Sequence, residues 1–184
     1  TAYAPDDNGD CKPDKVWLFV TLRRGGRTLY AFDVSNPASP KFKWKITNSG
    51  SFTELGQTWS AAMPIQLADK SIALVFGAGY DPNFEDRPFD TTTKVYTNQN
   101  PLPTKTMGRG VFVVKADTGA LLRHFGSADG LTDAVPSDVQ VVKDPMSGIA
   151  KLVYVGDTGG NLWRLSFMDS SGAVSSTPSA WSAT

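Results

Sequence analysis

The chain has 184 residues, of which 40% are hydrophobic, 11% aromatic and 20% charged, and its 18 basic residues balance its 18 acidic ones. A net charge of zero without a basic cluster excludes a nucleic-acid binder, which needs concentrated positive charge against phosphate. No apolar run approaches the roughly 20 residues that span a bilayer, so a soluble globular chain without a membrane span is expected. It opens at Thr1, not Met, and closes in SAWSAT, which points to a piece of a longer exported protein whose targeting segment lies elsewhere. The single cysteine, Cys11, has no internal partner and does not fix the compartment.

In chain order, the first feature is DDNGDCKPD, residues 6–14. Oxygen-bearing side chains fall at its positions 1, 3, 5 and 9, namely Asp6, Asn8, Asp10 and Asp14, and the backbone carbonyl of Lys12 stands at position 7. Calcium is a hard cation that collects six to eight oxygens, and tight loops supply them from alternating positions. Three carboxylates balance a dication and leave a formal charge of minus one. Gly9 suits a turn with positive φ, and Pro13 stiffens the approach to the last ligand. An EF-hand loop runs to twelve residues, ends in Glu and has Gly at its sixth position; here Cys11 stands sixth and Asp14 closes. The same residue types also make plain solvated turns. Zinc is excluded by a chain with one Cys and one His.

The remaining elements read as strands, rich in β-branched and aromatic residues and punctuated by Gly or Pro. KVWLFVTLR (15–23), GGRTLYAFDV (25–34) and KFKWKI (41–46) form a first group, without a leading strand. TWSAAMPIQL (58–67), SIALVFGAGY (71–80), MGRGVFVVKA (107–116) and ALLRHFG (120–126) form a second. SDVQVVKD (137–144), KLVYVGDT (151–158) and TGGNLWRLSF (158–167) begin a third, and residues 168–184 read as a polar connection into a truncated strand. Leu29, Val111 and Leu162 occupy matching positions, as do Tyr30, Phe112 and Trp163, which are assigned to packing between units. Residues 81–107 interrupt the second group as a 27-residue insertion, and removing them brings the Leu29–Val111 spacing from 82 to 55.

Four-strand units at such spacing are the signature of propeller blades, each packing on its neighbours. The expected fold is therefore all-β, with about three quinoprotein-like, four-stranded β-propeller blades over 1–184 as an arc of a larger ring. A twisted β-sandwich of the same strands stays open as the alternative.

The ordered set RRGGRTLYAFDV, ELGQTWS and GDTGGNLWRL, together with GRGVFVVKADTGALLRHFG and AVPSDVQVVKD, resembles the C-terminal propeller domain of the PilY family over residues 15–167. That resemblance implies a calcium-binding adhesin at type IV pilus tips, at the cell surface or outer membrane. It also implies a role in pilus biogenesis and retraction, and a short calcium loop matching residues 6–14. Implied partners are minor pilins or other pilus components, the rest of its own polypeptide, and a host or surface receptor.

Other readings compete. Quinone-cofactor dehydrogenases share this blade style, with Asp157 and Trp163 as candidates by residue type alone, and a structural envelope scaffold is a further alternative. His124 lacks a Ser or Cys partner in any nucleophile motif, and GDTGGNL reads as a hairpin turn, not a phosphate loop. A non-enzymatic module is expected. Within the insertion Asp81, Asn83, Asp86 and Asp90 carry oxygens at a spacing that fits no loop template, beside Arg87. The insertion is the expected partner-contacting surface, since long loops on rigid scaffolds carry binding.

Overall fold

The computed structural model describes residues 1–6, 8–86, 89–96 and 104–184. The strands of the first meander are β1 (Ala2–Tyr3), β2 (Trp17–Thr21), β3 (Thr28–Asp33) and β4 (Lys41–Thr47). The second contains β5 (Met63–Gln66) and β6 (Ile72–Gly77), then a short helix α1 (Pro82–Glu85) and the small strands β7 (Phe89–Asp90) and β8 (Val95–Tyr96). It resumes with β9 (Val111–Lys115) and β10 (Leu121–Phe125). The third is β11 (Gln140–Lys143), β12 (Ala150–Gly156), β13 (Leu162–Ser166) and β14 (Ser182–Ala183).

These strands make three antiparallel four-stranded sheets in the orders β1-β2-β3-β4, β5-β6-β9-β10 and β11-β12-β13-β14, while β7 pairs only with β8. The chain is therefore all-β in three layers, and among the described residues no sheet closes into a ring.

The expectation that the first group lacks a leading strand is corrected: Ala2 and Tyr3 pair with Leu18 and Trp17. Two residues carry no periodicity, so the pairing has no sequence signal. Residues 168–184 hold more than a polar connection. Trp181 is buried, meets Phe167 edge-on at 4.6 Å and donates its indole N–H to Ser175 O at 2.7 Å.

The middle sheet is apolar on both faces because alternate side chains of a strand point to opposite sides. Leu74 and Phe76 of β6, with Phe112 and Val114 of β9, join a core with Phe19, Leu29, Ala31, Trp44 and Ile46 of the first sheet. Ala73, Val75, Val111 and Val113 face the other way, into a core with Ala150, Val153, Val155 and Leu165 of the third sheet. Continuous apolar runs such as IALVFG are what a strand buried on both faces requires. The outer sheets alternate instead, as in β3, where Leu29 and Ala31 are buried while Tyr30 and Phe32 are half-exposed.

Polar pins join the layers. Thr58, buried, receives the N–H of Leu22 on its hydroxyl at 2.9 Å and of Arg23 on its carbonyl at 2.9 Å, and its own hydroxyl donates to Thr28 O at 3.0 Å. Trp44 Nε1 donates to Ala116 O at 3.1 Å. Arg109 forms a two-pronged pair with Glu54 at 2.8 and 2.7 Å. Gly79 has φ +106, and a Cβ there would collide with the backbone of Gln57, so the close approach of the β4–β5 connection to the chain after β6 requires glycine.

Of the three aromatics assigned to packing between units, Phe112 is fully buried and Trp163 packs partly buried against the second core. Tyr30 lies on the outer face of the first sheet, stacked on Phe32 at 6.2 Å.

A contrast tests this layering. Phe112→Ala should cost about 3–5 kcal/mol in urea unfolding, as for a fully buried aromatic, whereas Phe42→Ala on the outer face, where Phe42 is 58% exposed, should change stability by under about 1 kcal/mol.

Candidate functional site

Residues 6–14 form the connection between β1 and β2, with Asp14 N donating to Pro5 O at 2.9 Å across its base. Asp7 lies outside the described residues. The acidic side chains fold the loop around themselves, as Asx residues do when they bond backbone N–H groups a few positions on. Asp6 Oδ1 accepts from Gly9 N at 2.7 Å and Asp10 N at 3.2 Å, and Asp6 Oδ2 from Cys11 N at 2.9 Å. Asn8 Oδ1 accepts from Asp10 N and Asp10 Oδ1 from Lys12 N, each at 2.9 Å. Asn8 Nδ2 donates to Asp14 Oδ1 at 3.1 Å, joining the third position to the ninth.

Gly9 has φ +77 and Cys11 φ +64. Cys11 thus adopts the left-handed conformation for which glycine is the natural choice, at roughly 1–2 kcal/mol. Its thiol is free and exposed.

The structure brings Asp6, Asn8 and Asp10 around one turn and Asp14 against Asn8. Among the described residues no group of three or more His, Cys, Asp or Glu side chains is gathered closely enough to hold a metal. The loop's oxygens serve its own N–H groups. A carboxylate has about four acceptor directions, so Asp6 keeps capacity beyond its three N–H partners. In residue type the oxygens suit a hard cation, and Asp6, Asn8, Asp10, Asp14 and the Lys12 carbonyl are the residues that would hold one.

The insertion's acidic residues each have local partners. Asp81, 1% exposed, caps α1 by accepting Asn83 N at 3.0 Å and takes Thr106 N at 3.1 Å on its other oxygen. One carboxylate therefore fastens both ends of the excursion. Asp86 accepts the Tyr80 hydroxyl at 2.7 Å; burial, that hydrogen bond and the charge of Asp86 push Tyr80 up to about 12. Asp90 caps the next turn through Thr92 N at 2.7 Å. Glu85 accepts from Thr158 at 2.6 Å, and Lys105 pairs with Asp133, so the root leans on the third sheet. Arg87 and residues 97–103 lie outside the described residues.

Asp157 is spent on a turn. Burial pushes its carboxyl up, but hydrogen bonds from Trp163, Asn161 and the Asn161 backbone outweigh this and hold it below the usual value; Trp163 Nε1 donates at 2.7 Å. His124 stacks on Phe112 at 4.2 Å with Nε2 2.9 Å from Arg109 O.

No protein-family model matches the sequence. Individual relatives do. The chain is 29% identical over 154 residues to the type IV pilus biogenesis factor PilY1 of Pseudomonas aeruginosa strain UCBPP-PA14, covering 82% of this chain and 11% of that protein. It is 31% identical over 157 residues to a PilY1 homolog of Xylella fastidiosa strain Temecula1, covering 85% and 11%. The chain belongs to the PilY family. It spans about a tenth of the length of these PilY1 relatives. The crystal structure of the Pseudomonas aeruginosa PilY1 C-terminal domain superposes with a TM-score of 0.66 at 22% identity, covering 92% of this chain and 32% of that one. The PilY1 domain thus shares the fold.

Sequence reasoning missed the turn aspartates as a set. Hydrogen bonds from Ser35 hold Asp33 below its ordinary value, those from Ser71 hold Asp69 low, and those from Ser171 hold Asp169 low. The recurring signal is an Asp two residues before a Ser. Groups whose folded pKa is depressed stabilise the fold above the unfolded value and lose that contribution as pH falls through the folded one. Melting temperature should therefore fall between about pH 5 and about pH 2, and Asp69→Asn should flatten that dependence in a circular dichroism melt series.

Proposed function

We propose that this chain is a three-blade arc of a quinoprotein-like β-propeller within a type IV pilus biogenesis factor. It acts as a non-enzymatic adhesin and retraction-regulating module. The exposure of Leu162 supports the arc. Leu29 and Val111, its counterparts in the first two sheets, are fully buried because another sheet covers that face, whereas Leu162 is 74% exposed. Tyr30 on the first sheet is likewise the open counterpart of buried Phe112. The middle sheet is covered on both sides and the end sheets on one.

The pilus role rests on kinship with proteins named type IV pilus biogenesis factor PilY1. The proposal extends to a pilus-tip, outer-membrane location and to minor pilins and a host or surface receptor as partners. The only membrane statement the fold allows is that, among the described residues, no helix is long and apolar enough to cross a bilayer. A dehydrogenase reading gains no support from Asp157 or Trp163, which hydrogen-bond each other at 2.7 Å across a turn.

Calcium is the proposed cofactor, held by Asp6, Asn8, Asp10, Asp14 and the Lys12 carbonyl. The observation behind it is the Asx-bonded path of the loop, with left-handed residues at Gly9 and Cys11. Bound there, the ion would pin the entry to β2. Calorimetric titration with calcium should show saturable binding, at least about tenfold weaker for Asp14→Ala, as expected on losing one charged ligand. Equal binding by both proteins, or no binding by either, would overturn the metal assignment.

A further inference from the structure

A cleft of about 360 Å³ opens between the first two sheets beside the stem of the acidic loop. Its walls include Tyr3 and Trp17 from β1 and β2, Lys70 from the β5–β6 turn, Lys115 and Asp117 at the end of β9, and Ser176 from the stretch before β14. The volume is within the roughly 300–1,000 Å³ typical of small-ligand sites.

Its chemistry has two parts. One wall is aromatic, with the rings of Tyr3 and Trp17 5.8 Å apart and tilted by 49°. The other carries charge on exposed side chains, and among the described residues neither Lys70 nor Lys115 forms a salt bridge. Asp69, which also lines the cleft, takes the Ser71 hydroxyl at 2.6 Å and N–H at 3.0 Å on one oxygen, Oδ1, and its charge is felt by Lys115. Asp117 is the second carboxylate lining the cleft. Lys70 sits at φ +67, where a side chain costs roughly 1–2 kcal/mol and Gly or Asn would fit more easily. Lys15, which also lines the cleft, lies 5.5 Å from the Trp17 centroid, and Lys43, which does not, lies 4.0 Å from it, so both add positive potential at the aromatic wall.

We propose that this cleft binds an acidic sugar unit of the hexuronate type. The apolar C–H face of the sugar ring packs on Trp17 and Tyr3, its carboxylate meets the ammonium groups of Lys70 and Lys115, and a ring hydroxyl donates to Asp117. A neutral hexose lacks the group the lysines recognise, and a small anion lacks the ring that fills the aromatic wall. The inference is independent of the calcium reading, since none of these five side chains belongs to the proposed ion's ligands.

The test is an NMR titration of the ¹⁵N-labelled chain, following the Trp17 indole N–H, with sodium glucuronate, glucose and sodium acetate at constant ionic strength. Glucuronate should shift that signal saturably, and glucose and acetate should bind at least about tenfold more weakly, the loss expected when a charge-assisted contact or the stacking surface is removed. The Lys70→Ala/Lys115→Ala double variant should weaken glucuronate by a similar factor with its spectrum otherwise unchanged. Should that variant not fold, Lys70→Gln and Asp117→Asn make the same comparison singly. No saturable shift, an equal response to glucose or acetate, or unchanged affinity in the folded variants would overturn the proposal.

Discussion

The structure depends on one constraint: the strands β6 and β9 must be covered on both faces. Leu74, Phe76, Phe112 and Val114 look toward the first sheet and Ala73, Val75, Val111 and Val113 toward the third, all essentially fully buried. Each large apolar side chain so buried contributes about 1.5–3 kcal/mol relative to exposure, and neither outer sheet supplies a second dry face of its own. The first and third sheets are therefore held by the middle one. The polar pins at Thr58, Trp44 and Glu54–Arg109 then set how the layers meet. Such pins are costly to break, because a buried donor or acceptor left alone forfeits its hydration without replacement.

The same constraint explains where chemistry can sit. With the strands committed to packing, polar function is left to the connections: the acidic loop before β2, the insertion after β6 and the turns lining the cleft between the first two sheets. Two of these are rigidly rooted. The acidic loop is bonded through Asp6 to three successive backbone N–H groups, and both ends of the insertion are fastened by Asp81. A binding surface on such roots loses less conformational entropy when it engages a partner.

Much of this was legible in the sequence, for identifiable reasons. Runs such as IALVFG and VFVV are long enough to declare strands, and their lack of alternation marks the sheet buried on both faces. The phase of Asp6, Asn8 and Asp10 reads as a calcium loop or a plain turn, and the structure shows these side chains bonding the loop's own N–H groups; positive φ at Gly9 is as its residue type suggests. The short edge strand β1 was invisible, because two residues cannot show a period, whereas β14 falls at the end of residues 168–184, where a truncated strand is expected. Asp81–Pro82 carries a helix-start signal, a capping residue followed by proline, yet its second bond to Thr106 spans 25 residues. The Glu54–Arg109 pair spans 55; contacts of that range leave no local trace.

Native-state hydrogen exchange, residue by residue, tests the central claim most directly. If the doubly covered middle sheet is the keystone, the amides of β6 and β9 should exchange slowest, through global unfolding alone, while those of β1 and β14 exchange through local opening. Exchange of β6 and β9 as fast as that of the edge strands would contradict the account.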